Sequence, residues 1–317
     1  MRIVFMGTPD FAVPSLEALL SSGDQVVGVV CQPDRPKGRG HQLVAPPVKL
    51  VAERAGIPLL QPLKIRTPEF LQALSSWQPD VIAVAAYGRI LHTPILQLPP
   101  MGCVNVHGSL LPKYRGAAPV QWAVINGETE TGITTMLMDE GMDTGAMLLQ
   151  AKVEILPEDT AGTLAPRLAA LGGRLLTETL AQLKAGTLVA TKQDDQQATM
   201  APLLKKEDGL IDWTLSATSL ANRVRGLSPW PGAYTFLGDE RWNIWKSASQ
   251  GTATSDAPGT IVTVTKQSIL VATGDGLLEV REIQTANSKR MAVPQFLAGH
   301  RVTVGQQLGP PPTTLVG

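Results

Sequence analysis

Two side chains able to stabilise an anion and move a proton lie at the end of one apolar run, VNVH at residues 104–107. Asn105 and His107 are separated by one valine, so in a β-strand both project from the same face. An asparagine amide can donate two hydrogen bonds to a developing oxyanion, and a histidine can carry a proton near neutral pH. The same pattern also fits a histidine that is simply satisfied within a core.

A second polar cluster, MDEGMDTG, occupies residues 138–145 between two apolar runs. Its acidic members are Asp139, Glu140 and Asp143, and its glycines permit tight turns. The cluster is either a solvated acidic turn or the source of a carboxylate that orients His107 and stabilises its charge. Asparagine, histidine and aspartate together suit acyl-group chemistry. A serine-hydrolase triad is disfavoured, because no nucleophile motif accompanies them.

Other signatures of α/β enzymes are missing from the sequence. The first turn reads GTPDF (7–11) in place of the dinucleotide-binding GxGxxG, and neither the phosphate-binding GxxxxGK[ST] nor GxSxG is present. Cys31 and Cys103 lie in apolar runs without metal-site or disulfide spacing. We therefore expect two buried thiols and no metal.

The first 187 residues alternate between strand-like and helix-like segments. We predict strands at 2–7, 25–32, 57–62, 80–88, 102–107, 131–140 and 146–155. We predict helices at 11–23, 46–56, 67–78, 118–128 and 160–186. This alternation indicates a Rossmann-like, mostly parallel sheet, in which ligands bind outside the carboxyl ends of the strands. Asn105 and His107 stand at such an end.

The texture of the sequence changes near residue 187. Residues 188–205 are polar and rich in turn formers, which predicts a linker. Residues 206–312 contain short alternating runs separated by turns, which predicts a small OB-like β-barrel. The predicted organisation is therefore a catalytic domain (1–187), a linker (188–205) and a C-terminal domain (206–312).

A basic insert, PDRPKGRGHQLVAPPVK, follows the second predicted strand at residues 33–49. It carries Arg35, Lys37, Arg39 and Lys49 against one aspartate, a local net charge of +3. It is either a solvated excursion or an arm that enters the end of an RNA acceptor stem, where an arginine fork can engage bases or phosphates.

The overall charge restricts the class of protein. The chain has 27 basic and 27 acidic residues, which argues against a generic nucleic-acid coat. No apolar run approaches the length of a membrane span, and the N-terminal residues lack the features of a signal peptide. We expect a protein of the cytoplasm with no membrane partner.

The motifs VNVHGSLLPKYRG and MDEGMDTG, separated by about twenty residues, together resemble those of the folate-dependent formyltransferases. The resemblance covers most of the first 200 residues. It implies that Asn105, His107 and Asp143 are catalytic and that the co-substrate is 10-formyltetrahydrofolate. The implied folate-binding residues are Tyr87, Gly88, Arg89, Ile90, Leu91, Ser109, Leu110, Leu111, Pro112, Asp139 and Gly141.

Three further segments resemble one branch of this family, whose acceptor is initiator methionyl-tRNA. They are MGTPDFAVPSLEAL at the start, the basic insert, and RGLSPWPGAYT near residue 230. The resemblance implies an enzyme of translation initiation, and we expect a monomer. The candidate tRNA-binding residues are Arg35, Lys37, Arg39, Arg223 and Arg225. The alternatives are formylation of a small amine or sugar nucleotide, and a non-catalytic RNA-binding protein on the same scaffold.

Overall fold

The structure, a computed structural model, describes residues 1–37 and 42–311, which form two compact units. The first unit comprises Met1–Pro119, Glu130–Glu154 and Ala165–Pro202. The second comprises Val120–Thr129, Ile155–Leu164 and the chain from Leu203 onward. Most of the segment predicted as a linker, 188–205, thus belongs to the first unit. The three predicted domain boundaries stay predictions.

The first unit is built on a mixed sheet. The strands of residues 1–154 are β1 (Arg2–Gly7), β2 (Gln25–Val30), β3 (Arg35–Lys37), β4 (Gln42–Val44), β5 (Leu59–Leu60), β6 (Val81–Ala85), β7 (Cys103–His107), β8 (Glu130–Leu137) and β9 (Met147–Glu154). The order in the sheet is β5-β2-β1-β6-β7-β8-β9. Pairing is parallel from β5 to β7 and antiparallel for β8 and β9, which agrees with the predicted mostly parallel sheet.

Helices connect the strands, and all but the short helix at 93–96 lie in segments that the sequence predicts as helical. They are α1 (Val13–Leu20), α2 (Pro47–Arg54), α3 (Pro68–Ser76), α4 (Thr93–Leu96), α5 (Pro119–Ile125) and α6 (Ala161–Ala185). Short 3₁₀ turns lie at Asp10–Ala12, Asp195–Gln197 and Glu207–Gly209. Thr67 begins α3 as predicted, because its hydroxyl accepts a hydrogen bond from Phe70 N at 3.3 Å and proline occupies the first turn.

The apolar run in β6 explains why the sheet centre forms. All of Val81–Ala85 is buried, as expected for a central parallel strand covered on both faces. Phe70 and Leu74 of α3 pack in one cluster with Val4, Ile82 and other core residues. The core therefore fixes the strands whose carboxyl ends carry the polar motifs.

The basic insert contains a hairpin that the sequence did not predict. β3 and β4 pair antiparallel, with Arg35 opposite Val44 and Lys37 opposite Gln42. Residues 38–41, which include Arg39 and His41, lie outside the described residues.

The second unit contains an antiparallel sheet. Its elements are α7 (Ala217–Gly226), β10 (Ala233–Leu237), β11 (Glu240–Gln250), β12 (Ile261–Val264), β13 (Ile269–Ala272), β14 (Leu277–Thr285), β15 (Met291–Ala292), α8 (Val293–Leu297) and β16 (Leu308–Gly309). The strand order is β12-β13-β14-β11-β10-β16, and β15 pairs with β14.

Hydrogen bonds join the two ends of this sheet. Ile261 N donates to Gln306 O and Leu308 N donates to Gly259 O, both at 2.8 Å. These bonds link the start of β12 to the chain beside β16, so the sheet curls into a small barrel, as predicted. Trp242 and Phe296 are buried edge-to-face, with ring centroids 5.1 Å apart. Within residues 1–37 and 42–311, no helix is long and apolar enough to cross a membrane.

Candidate active site

Asn105 and His107 lie at the carboxyl end of β7, as predicted. β7 runs parallel to β6, with Asn105 opposite Val84, and antiparallel to β8, with His107 opposite Thr134. His107 is 5% exposed, whereas Asn105 is only half-buried. Both side chains leave the same face of β7, so the amide stands beside the imidazole at the edge where parallel sheets bind ligands.

The imidazole of His107 lies between a backbone carbonyl and a carboxylate. Its Nε2 is 2.9 Å from Tyr114 O, and its Nδ1 is 3.6 Å from Asp143 Oδ2. A carbonyl only accepts hydrogen bonds, so the proton of a neutral ring resides on Nε2. The Nδ1 contact is too long for a hydrogen bond and leaves Nδ1 the nitrogen free to accept a proton. The expectation that a carboxylate of the acidic cluster faces His107 is therefore met by Asp143.

Asp143 belongs to a loop that is tied down at several points. Its Oδ2 accepts a hydrogen bond from Gly116 N at 2.8 Å. Asp139 Oδ1 accepts from Gly141 N at 3.0 Å and from Thr144 Oγ1 at 2.7 Å, so Asp139 folds the loop on itself. Asp139 and Gly141, both predicted to bind folate, are exposed.

Glu140 and Gly145 complete the attachment of this loop. Glu140 accepts a hydrogen bond from the Thr93 hydroxyl at the start of α4. A Cβ atom on Gly145 would lie 1.7 Å from Leu137 O, so only glycine fits there.

The loop after β7 is organised around one threonine of β8. Leu111 N donates to Thr134 Oγ1 at 3.0 Å, and that hydroxyl donates to Ser109 O at 2.7 Å. Ser109 and Leu111 are buried, while Leu110 and Pro112 are half-buried. Of these four predicted folate-binding residues, Leu110 and Pro112 expose part of their side chains to solvent. Ser109 and Leu111 fix the loop through their hydrogen bonds with Thr134.

The segment predicted to contact folate after β6 also divides into buried and exposed residues. Tyr87 and Leu91 are buried in the core of the first unit, while Gly88 and Ile90 are exposed. Arg89 Nη1 donates to Leu63 O at 2.8 Å. Burial raises the pKa of Tyr87 to about 12, and its hydroxyl meets no hydrogen-bond partner in the described part of the chain.

The candidate tRNA-binding residues are divided between the basic insert and the second unit. Arg35 is exposed on β3 and donates to Gln32 Oε1, Lys37 lies on the same strand, and Arg39 is outside the described residues. In the second unit, Arg223 donates to Asp208 O at 2.9 Å. The partners of Arg225 are Asp159 O at 2.9 Å and Asn222 Oδ1 at 2.7 Å.

Through these hydrogen bonds to backbone carbonyls, Arg223 and Arg225 both stabilise the second unit. Burial also lowers the pKa of Arg225. Contact between either arginine and RNA stays a prediction.

Three non-glycine residues around the site adopt left-handed backbone conformations. The φ angles are 44° at Ala86, 62° at Tyr114 and 57° at Asp143. L-residues rarely occupy this region, and such strain persists only where surrounding contacts hold it. Ala86 directly follows β6, Tyr114 lies in the loop after β7, and Asp143 lies in the acidic loop.

The two cysteines are free, buried thiols, as predicted. Burial raises the pKa of Cys31 to about 11 and that of Cys103 to about 12. Over residues 1–37 and 42–311, no three histidine, cysteine, aspartate or glutamate side chains are grouped as a metal site requires.

A buried glutamine lies beside the acidic loop and was not predicted from the sequence. Gln193 is 4% exposed and donates to Asp143 O at 2.7 Å and to Gly145 O at 2.8 Å. It lies in the stretch predicted as a linker, where nothing in the local pattern marks one polar residue as buried.

Comparisons with known proteins agree with the motifs. A family model described as formyl transferase matches residues 1–180, and one described as formyl transferase, C-terminal domain, matches residues 203–301. A methionyl-tRNA formyltransferase of Desulfotalea psychrophila is 55% identical over 302 residues, 95% of this chain and 94% of the relative. One from Ruminiclostridium cellulolyticum is 50% identical over 98% of this chain and 100% of the relative.

Solved structures share the fold at lower identity. An N-formyltransferase of Helicobacter canadensis, in complex with folinic acid and dTDP-3-aminofucose, has a TM-score of 0.65 at 17% identity, over 92% of this chain and 100% of its own. The sugar 3N-formyl transferase WlaRD, in the presence of dTDP and 5-N-formyl-THF, has a TM-score of 0.64 at 18% identity, over 91% and 99%.

Proposed function

The chain belongs to the formyl transferase family, and we propose that it transfers a formyl group from 10-formyltetrahydrofolate to the α-amine of initiator methionyl-tRNA. The resemblance carried by the two motifs is confirmed at the level of the family. Relatives of 50% to 55% identity that are matched over nearly their whole length are methionyl-tRNA formyltransferases. The observation that supports the proposed chemistry is the 3.6 Å distance from His107 Nδ1 to Asp143 Oδ2, with Asn105 two residues before His107 on the same strand.

The reaction joins a nitrogen nucleophile to a formyl carbon. The amine must attack unprotonated, and a reference pKa of about 8 leaves part of it neutral at physiological pH. Attack forms the new C–N bond and places negative charge on the formyl oxygen. We assign stabilisation of that oxygen to the amide of Asn105, which is half-buried at the strand end.

His107 moves the proton in this scheme. Its Nε2 is bonded to Tyr114 O, so we assign acceptance of the amine proton to Nδ1. The resulting imidazolium faces Asp143 at 3.6 Å, where opposite charges attract. The proton then passes to the folate nitrogen as its bond to the formyl carbon breaks. The route uses no covalent enzyme intermediate and no metal.

Substrate positioning follows the same division of the chain. We propose that exposed residues of 88–90, Leu110, Pro112 and the acidic loop line the folate site, and that the basic insert and the barrel contact the tRNA. We also propose that the enzyme is a monomer. We place it in the cytoplasm, because its proposed substrate, charged initiator tRNA, is found there.

The test is a formylation assay with purified protein, 10-formyltetrahydrofolate and methionyl-initiator tRNA. We expect formyl-methionine after hydrolysis of the product ester. The control acceptor is a dTDP-linked amino sugar, the type of acceptor present in the structural neighbour from Helicobacter canadensis. Transfer to the sugar amine alone would replace the proposed acceptor, and no transfer to either acceptor would refute the proposal.

A further inference from the structure

We infer that residues 191–201, here called the strap, hold the catalytic carboxylate in place, with Gln193 as the positioning residue. The sequence pattern predicts a linker here, yet the strap lies within the first unit. The inference rests on the proposed function, because it assigns Gln193 a role that acts through Asp143.

Gln193 grips the acidic loop by its backbone. Its Nε2 donates to Asp143 O at 2.7 Å and to Gly145 O at 2.8 Å, which uses both amide hydrogens. The side chain is buried, so solvent does not compete for these bonds. Because Asp143 is in the left-handed region, with a φ of 57°, its conformation needs contacts that hold it, and these two bonds supply them.

The remaining polar atom of Gln193 is also satisfied. Its Oε1 accepts a hydrogen bond from Arg115 Nε at 2.9 Å, and Arg115 Nη2 reaches Asp195 Oδ1 at 2.8 Å. Arg115 is 6% exposed, so its guanidinium is fixed between two residues of the strap. The amide orientation of Gln193 is therefore dictated by one donor on one side and two acceptors on the other.

Backbone bonds attach the strap at both ends. Thr191 exchanges two hydrogen bonds with Met147, each 2.8 Å long, just beyond the acidic loop. Further along, Arg115 N donates to Thr199 O at 2.8 Å, and Ala201 N donates to Arg115 O at 2.7 Å. The strap thus joins the loop that carries the carboxylate to the loop that follows β7.

Together these contacts form a connected hydrogen-bond network around the carboxylate of Asp143. Gly116 N donates to Asp143 Oδ2, Arg115 donates to Gln193, and Gln193 donates to Asp143 O. Asp143 is consequently held at its side chain and at its own carbonyl, and its carboxylate faces His107. A loss of the Gln193 bonds frees the loop and lets the carboxylate move away from the imidazole.

The test compares Gln193→Met, which keeps the volume and removes all three bonds, with Gln193→Glu. The glutamate keeps the acceptor for Arg115 but lacks both donors to the loop. We expect kcat for formylation to fall about tenfold to a hundredfold in both variants, since small misplacements of catalytic groups have costs of this size. The KM for tRNA should change less than twofold, because the strap is not assigned to tRNA. Gln196→Ala, an exposed glutamine of the same segment, is the matched control and should behave as wild type.

A second measurement separates positioning from general damage. In an Asp143→Ala background, followed by single turnover, Gln193→Met should cause no further loss, because residues that act as a unit are not additive. Amide hydrogen exchange should accelerate in peptides covering residues 139–147 and leave β6 unchanged. Gln193→Glu provides the same readouts if the methionine variant does not fold. Wild-type turnover in both variants, or an equal loss in the Asp143→Ala background, overturns the inference. If the wild-type protein is inactive, the proposed function is refuted. In that case, hydrogen exchange in residues 139–147 of the Gln193 variants still tests whether the strap holds the acidic loop.

Discussion

The sharpest test of the proposed chemistry is truncation of Asn105 to alanine. The side chain is half-buried at the end of β7, and the strand is held by its backbone pairing with β6 and β8. Truncation should therefore lower the free energy of unfolding by no more than about 1 kcal/mol. If the amide donates to the developing oxyanion, kcat should fall about 100-fold to 1000-fold, which corresponds to about 2.7–4 kcal/mol of transition-state stabilisation.

The assay is steady-state formylation of methionyl-initiator tRNA at saturating 10-formyltetrahydrofolate. A donor used mainly in the transition state lowers kcat and leaves the KM for tRNA nearly unchanged. Asn105→Asp extends the test, because a carboxylate of similar size replaces the two donors by acceptors and adds negative charge beside the oxyanion. Its kcat should lie below that of Asn105→Ala. Gln182→Ala, which removes a half-buried side-chain amide on α6, is the control.

Three results would refute this reasoning. Wild-type kcat in Asn105→Ala removes the amide from the mechanism. A variant whose kcat is unchanged but whose KM rises shows that Asn105 binds substrate in the ground state. An aspartate variant more active than the alanine variant would show that the residue does not face developing negative charge.

Three other perturbations have defined outcomes. Arg39→Ala should depress formylation of methionyl-tRNA far more than folate binding, and Arg39→Lys should recover only part of the loss because lysine lacks the planar fork; unchanged formylation contradicts a role of the basic insert in RNA recognition. Asp24 accepts from the α-amine of Met1 at 2.9 Å and from Lys184 at 3.0 Å. Burial disfavours the charged form of Asp24, but these hydrogen bonds outweigh burial and lower the pKa of its carboxyl group. The ionised carboxylate therefore stabilises the fold at pH values above the pKa of the unfolded state. This stabilisation is lost as the pH falls through the pKa of the folded state. Asp24→Asn should therefore lower the urea-unfolding free energy by about 1 kcal/mol at pH 7, with no difference from wild type at about pH 2; a difference that persists in acid contradicts the pairing. Thr67→Ala should cost about 1 kcal/mol of unfolding free energy through loss of the cap of α3, with Thr67→Ser near wild type, and equal losses in both would remove the hydroxyl as the cause.

Local patterns in the sequence were sufficient for most of the first unit. The uninterrupted apolar run at Val81–Ala85 indicated a central strand, and Thr67 followed by proline indicated the start of α3. Alternation placed Asn105 and His107 on one face of a strand end, which the structure bears out. Each of these features depends on residues that are close in the chain.

Features that depend on distant residues could not be predicted in this way. Gln193 contacts the loop of Asp143, 50 residues earlier in the chain, and Arg115 meets Gln193 across 78 residues. The polar composition around Gln193 indicated a linker, because local polarity does not distinguish a solvated residue from a buried one whose hydrogen bonds are all made. Arg225 was selected by its charge, yet its guanidinium is occupied by carbonyls of its own unit.

The strap also restricts how domains of related enzymes can be combined into chimaeras. A chimaera of two relatives joined at residue 187 would match the acidic loop of one parent with the strap of the other. If Gln193 positions Asp143, the hybrid should lose turnover even when the C-terminal domain is intact. A junction after Pro202 keeps loop and strap from the same ancestor, because the first unit ends there. The strap therefore restricts where such domains can be recombined, because it follows the last strand of the first sheet in the chain and must come from the same parent as the acidic loop.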